Sequence, residues 1–226
     1  MLMKLLALDT AQGACSAAVW IDGAVVARRY ELMRAGHAEL LVPMLMEAME
    51  EAGLEMADLS HLACTIGPGT FTGTRVALST LRGMALALKV PMIPVTTLEA
   101  VAHGLAPAPD AVRMACFDAK RGELYVQVFA GMTLDPLTEP EVLNHKEAAI
   151  AVKTAAAGLE IYGAGTGMEI LEGALKELGI KTHCRDVSPH PDAALVAEIA
   201  AGREGSHTPP APLYLRAPDA KLPAPK

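Results

Sequence analysis

Ile66-Gly67-Pro68-Gly69-Thr70-Phe71-Thr72-Gly73-Thr74-Arg75 separates an apolar run, Leu59–Ile66, from a segment with helical spacing at about Thr74–Leu88. Three glycines and a proline between a strand and a helix set a sharp turn with accessible backbone N–H groups. Such a turn at a helix N-terminus can hold an anion. The stretch lacks the Gly-Lys-Ser/Thr ending of a P-loop, and its glycine spacing is not the dinucleotide fingerprint. Two readings stand: a structural turn that lets strand and helix pack closely, preferred on physical grounds, and a phosphate cradle at Gly67 and Gly69. Phe71 is either tucked into an interdomain cleft or offered to a partner. Arg75 caps that cleft or joins an interface ion pair.

Upstream of the turn, Leu2–Asp9, Ala14–Ile21 and Ala24–Leu32 read as strands, the last two joined by the hairpin signal Asp22-Gly23. His37–Gly53 carries Leu40, Leu41, Met44, Leu45, Ala48, Met49 and Ala52 at helical spacing. Downstream come a short strand, Met92–Val95, and a helix from Thr97. The second half echoes this order. Ala111–Phe117 and Leu124–Ala130 are strands, a third runs near Leu137–Leu143, and a helix starts at His145. Glu160–Tyr162 leads into Gly163-Ala164-Gly165-Thr166-Gly167 and the helix Met168–Leu178. A strand near Lys181–Arg185 and a helix Asp192–Ala201 follow. The Pro-rich link Ala106–Asp110 divides residues 1–106 from a smaller lobe, 107–226, whose tail is expected to dock through Leu213-Tyr214-Leu215-Arg216 and fray at its end. Two hairpin-plus-crossover units, βββαβα twice with the second reduced, are the plan of the actin-like ATPase, Hsp70 and sugar-kinase (ribonuclease H-like) α/β fold.

The 226 residues are 52% hydrophobic but only 4% aromatic, so the core is aliphatic. A net charge of −7 argues against a free-standing nucleic-acid binder, which ordinarily carries a basic excess. The apolar runs are too short and too interrupted to span a bilayer. The opening Met1–Leu8 run is cut by Asp9 and reads as a first strand rather than a signal peptide. Cys15, Cys64, Cys116 and Cys184 form no Cys-x-x-Cys pair, which favours buried thiols in a reducing, cytoplasmic setting over disulfides or zinc.

The glycine stretch resembles the signature of the bacterial TsaB (YeaZ) family. Further matching pieces are Leu6–Thr10, His37–Pro43, Phe117–Tyr125 and Tyr214–Arg216, so the resemblance covers nearly the whole chain. Thr70 and Thr74 stand where the family pattern suggests Ser and an apolar residue. The resemblance implies an accessory subunit of tRNA threonylcarbamoyladenosine formation. In that pathway TsaD transfers threonylcarbamoyl to N6 of an adenosine beside the anticodon. TsaB would support TsaD as a heterodimer partner, with the ATPase TsaE joining them, tRNA met indirectly, and a homodimer forming when TsaD is absent.

No catalytic residue and no metal site is expected. TsaD-like proteins place two metal-binding histidines four apart on a helix, and Thr97 and Val101 occupy those positions here. Asp9, followed by Thr10, and Asp118 correspond to cleft carboxylates of active superfamily members. They could hold Mg²⁺ through water, or Asp9 could simply end its strand by accepting backbone N–H bonds. Gly163 and Gly165 are a helix-opening turn first and an adenosine contact second. No cofactor is expected to bind this chain tightly, with ATP, ADP and Mg²⁺ entering only in the assembled complex. Val76–Leu88 is apolar nearly all round, so a second face needs cover. The expected partner interface comprises Leu41, Leu45, Met49, Phe71, Arg75, Ala77, Thr80, Gly83 and Ala87, with arginine at Ala77 or Gly83 expected to block assembly without unfolding. The alternatives are a small sugar-kinase-type phosphotransferase using Asp9 and Asp118, and a glycoprotease-like metallopeptidase, which the missing ligand pair opposes.

Overall fold

The computed structural model describes residues 2–184 and 187–216. Their elements run β1 (Lys4–Asp9), β2 (Ala14–Ile21), β3 (Ala24–Leu32), α1 (His37–Glu51), β4 (His61–Thr65), α2 (Phe71–Leu88), β5 (Met92–Val95) and α3 (Thr97–His103). The second set is β6 (Ala111–Lys120), β7 (Glu123–Ala130), β8 (Glu141–Asn144), α4 (His145–Ala156), β9 (Glu160–Ala164), α5 (Met168–Glu177), β10 (Thr182–Cys184) and α6 (Ala193–Ala201). Two five-stranded sheets result, ordered β3-β2-β1-β4-β5 and β8-β7-β6-β9-β10. In each, the hairpin strands pair antiparallel and the last three run parallel. The same order twice is the duplicated actin-like plan. The outer strands of the second sheet are short, with four residues in β8 and three in β10.

Both central strands are covered on both faces, which is why they read as continuous apolar runs. In β1, Leu6 and Leu8 face the cluster under α1 and α2, while Leu5 and Ala7 face a second cluster. That second cluster is completed by Ala193, Val196, Ala197 and Ala200 of α6, the last helix among the described residues. Conversely Leu98, Val101 and Ala102 of α3 pack with Ala115, Phe117 and Phe129 of the second sheet. The link at 106–110 therefore divides the strands but not the helices, because each lobe lends a helix to the other. Asp192 fastens this exchange. Its Oδ1 accepts from the Ala194 N–H at 2.9 Å as the cap of α6, and its Oδ2 accepts from Arg28 Nε of β3 at 2.8 Å.

Three boundaries differ from the sequence expectation. The second helix starts at Phe71 rather than Thr74, because the Thr70 hydroxyl caps it by accepting from Gly73 N–H at 3.1 Å. The segment expected as a strand near Leu137–Leu143 first crosses β7, with Leu137 N–H donating to Val128 O and the Thr138 hydroxyl accepting from Val128 N–H, and pairs only from Glu141. The strand expected at Lys181–Arg185 is Thr182–Cys184, and Arg185 lies outside the described residues. The tail docks as expected. Ser206 bridges Met92 of β5, Leu213 N–H donates to Ile66 O at 2.7 Å, and Arg216 donates to Ala119 O at 3.2 Å while pairing with Glu123. The expected fraying falls on residues 217–226, outside the described ones.

Two glycines of α2 separate packing from propensity. A Cβ at Gly73 would overlap the Thr10 carbonyl oxygen, whereas one at Gly83 would meet nothing within 4 Å. In urea unfolding, Gly73→Ala is expected to lose about 1–3 kcal/mol and Gly83→Ala to gain about 0.5–1 kcal/mol. Equal effects would refute the close approach at Gly73.

Candidate functional site

The residues singled out around the cleft meet where β1 ends and α2 begins. Thr10 is fully buried, and its hydroxyl donates to Gly73 O at 2.6 Å and accepts from Ala77 N–H at 3.0 Å. Thr70 N–H donates to Ala11 O at 2.9 Å. A Cβ at Gly69 would collide with that same Ala11 carbonyl. Gly67 has φ +110, and a Cβ there would stand 2.7 Å from Leu213 O of the docked tail. These glycines admit the chain's own backbone, which supports the structural reading of the turn.

Asp9 is fully buried. Its Oδ1 accepts from the Thr65 hydroxyl and from Ala11 N–H, while Oδ2 has no hydrogen-bond partner among the described residues. Burial pushes its pKa up to about 7, against the opposing effect of those two bonds. Cys15 and Cys64 are both pushed up to about 12, by burial first and by Asp9 second, so neither is a reactive thiolate.

The second lobe repeats the packing. Gly165, at φ +115, would place a Cβ against Cys116 O, and Gly167 N–H donates to that carbonyl at 2.9 Å. A Cβ at Gly163 would meet the Met168 side chain. Asp118 is held by Lys120, whose Nζ lies 2.6 Å from Oδ2 and whose N–H donates to Oδ1 at 2.7 Å; the lysine bond lowers its pKa. One carboxylate is thus sealed in the core and the other paired within its own hairpin. Thr97 and Val101, at the metal-ligand positions, are both buried in α3.

The expected interface residues separate into two groups. Leu41, Leu45, Met49 and Ala77 are at most 5% exposed and belong to the core, so they correct the expectation. Arginine at Ala77 would disrupt that core rather than only block a partner. Thr80 is half-buried, with its hydroxyl donating to Val76 O at 2.9 Å. Gly83 and Ala87 are exposed on α2 next to Leu86, which is 83% exposed. Val42 and Met46 are the matching exposed apolar residues of α1. Periodicity identified both helices, but nearly uniform apolarity in α2 concealed which side faces the sheet.

Phe71 and Arg75 sit at the start of α2 in a stack with Tyr214 of the tail. The Arg75 guanidinium lies 3.3 Å from the Phe71 ring centroid and 5.1 Å from that of Tyr214, and the two rings are inclined by 21°. Phe71 remains 66% exposed. The third member was not foreseen, because nothing local in the sequence links residue 214 to residue 71. Among the described residues no helix is long and apolar enough to cross a membrane.

Comparison with known proteins agrees with this architecture. The family model "TsaD: tRNA N6-adenosine threonylcarbamoyltransferase" matches residues 31–202. The chain is 35% identical over 153 residues to TsaB of Escherichia coli, a tRNA threonylcarbamoyladenosine biosynthesis protein, covering 64% of this chain and 66% of that protein. With TsaB of Haemophilus influenzae the identity is 35% over 54% of this chain and 52% of that one, so the matches span about half to two thirds of these relatives. An uncharacterized protein of Mycobacterium tuberculosis is 31% identical over 96% of this chain and 93% of its own length. The structure of YeaZ from Pseudomonas aeruginosa superposes with TM-score 0.78 at 28% identity, covering 94% of this chain and all of that one.

The buried carboxyl has a measurable signature. Folded Asp9 keeps its proton up to about pH 7, whereas its ordinary value is 3.8. Between these values the folded state binds more protons, so this group's contribution to stability falls as pH rises and levels off above pH 7. Asp9→Asn, which keeps an acceptor for Thr65 and Ala11, is expected to exceed the parent chain's unfolding free energy at pH 8 by about 1–3 kcal/mol. The gap should close toward pH 4; a gap independent of pH would show that Asp9 is not protonated in the fold.

Proposed function

This chain belongs to the TsaB (YeaZ) branch of the TsaD family, and from that premise we propose that it is a non-catalytic subunit of tRNA threonylcarbamoyladenosine formation. In this reading it binds and supports TsaD, which transfers the threonylcarbamoyl group to the adenosine N6 amine, and TsaE joins the pair. One observation carries the non-catalytic role: the two candidate carboxylates are engaged with their own chain, Asp9 sealed at 0% exposure and Asp118 paired to Lys120. A phosphotransferase base or a cation-holding pair needs carboxylates that face a substrate in common. ATP, ADP and Mg²⁺ then belong to the assembled complex, and tRNA is reached through TsaD.

The partner surface in this reading is the outer side of α1 and α2. Val42, Met46 and Leu86 are 50%, 53% and 83% exposed, and Gly83 and Ala87 beside them leave room for a close helix approach. A hydrophobic patch on two adjacent helices suits another helix pair, offered by TsaD or, in its absence, by a second copy of this chain. Phe71 and Arg75, fixed by Tyr214, lie at the N-terminal end of the same helix.

Leu86→Glu and Gly83→Arg alter solvent-facing positions and are expected to leave the thermal transition within a few degrees of the parent. Calorimetric titration with TsaD should show affinity reduced at least ~100-fold, about 2.7 kcal/mol. Unchanged affinity in both variants would remove this face as the interface. In cells depleted of the chain, mass spectrometry of total tRNA should show loss of threonylcarbamoyladenosine, and normal levels would overturn the pathway assignment itself.

A further inference from the structure

Side chains of β6 alternate between the two faces of the second sheet. Val112, Met114 and Cys116 join the cluster under α4 and α5, whereas Ala115 and Phe117 join the one under α3. Arg113 occupies the next place on the α3 face and is 3% exposed. Its Nη1 donates to Leu105 O at 3.1 Å and its Nη2 to Met132 O at 3.4 Å, while Nε has no partner among the described residues. Burial lowers its pKa, and no acidic neighbour acts to raise it. A guanidinium removed from water without a carboxylate is strongly unfavourable, and two carbonyls offset only part of that.

Arg113 lines a recess of about 490 Å³ whose walls include Glu99 and His103 of α3, the 132–136 loop and Arg203 beyond α6. The other charged groups there already have partners. Arg203 pairs with Glu99, His103 contacts Glu198 at 3.0 Å, and Asp135 accepts from the Thr133 hydroxyl at 2.5 Å. Arg113 thus lines the recess with no ion-pair partner of its own among the described residues, although the Asp135 carboxylate lies in the same lining. We propose that this recess binds a small oxyanion, a carboxylate or a phosphoryl group, through the Arg113 guanidinium. Arg113 lies five residues before Asp118 on β6, about 17 Å along an extended strand, so the site is distinct from the Asp9 and Asp118 cleft. Its walls include residues of both exchanged helices together with the 132–136 loop of the second lobe, and a bound anion would brace one lobe against the other. The inference does not depend on the tRNA-modification reading.

Thermal unfolding of the full chain in inorganic phosphate, sodium acetate and sodium chloride at matched ionic strength tests it. Phosphate or acetate at ten times its Kd is expected to raise Tm by about 3–6 °C over chloride, with the gain lost in Arg113→Met. A gain in acetate alone identifies a carboxylate ligand, and a gain in phosphate alone a phosphoryl group. Equal Tm in the three salts, or an equal gain in the variant, overturns the proposal. If Arg113→Met does not fold, the ¹⁵N resonance of Arg113 Nε in the parent chain decides. A saturable shift with either anion supports the site, and no shift with both overturns it.

Discussion

The Thr10 hydroxyl bridges the carbonyl of Gly73 and the N–H of Ala77, the acceptor and donor of one i, i+4 pair in α2. Strand end and helix start are thereby joined through a single buried oxygen, at a separation only glycine at position 73 permits. Much of the first lobe takes its position from this contact. It aims the apolar side of α2 at β4, brings Thr70 under the Ala11 carbonyl, and leaves Ile66 O free to accept Leu213 of the tail. The tail in turn brings Tyr214 to Phe71 and Arg75, and carries Arg216 across to the β6–β7 hairpin of the second lobe.

The fold was legible because its signals are local and redundant. Asp22-Gly23, the apolar runs of β1, β4 and β6, and the two glycine turns fixed the element order, and the repeat of that order pointed to the duplicated plan. The helix start at Phe71 was missed because a Thr cap inside a glycine-rich run looks like more turn. The site was less legible for reasons of geometry. Asp9 is next to a turn in sequence, which suggests exposure, but it is fully buried beside Thr65 of β4. Leu45 and Val42 are equally apolar in sequence, and only the sheet decides that one is core and the other surface. Arg113 had a visible signal, a charge inside the run Val112–Phe117, whose meaning depends on a loop at 132–136 and a helix at 193–201 that no local pattern connects to it.

The same geometry bears on function. The glycine turns are packed against the backbone of Ala11, Leu213 and Cys116. Val42 and Met46 of α1 and Leu86 of α2 are among the large apolar side chains left exposed. The turns at the ends of the central strands thus serve packing in this structure, and the proposed partner surface lies on α1 and α2 instead.

The exchanged helices also set an order of events during synthesis. All five strands of the first sheet and the two helices on one of its faces are complete once Val95 has been made. Its other face, with Leu5, Ala7, Ala18 and Ile93, stays open until residues 193–201 emerge from the ribosome. The first lobe therefore waits, half-covered, for nearly the whole chain, and the contacts that finish it are among the most distant in sequence. Without α6 the first sheet would keep one apolar face bare.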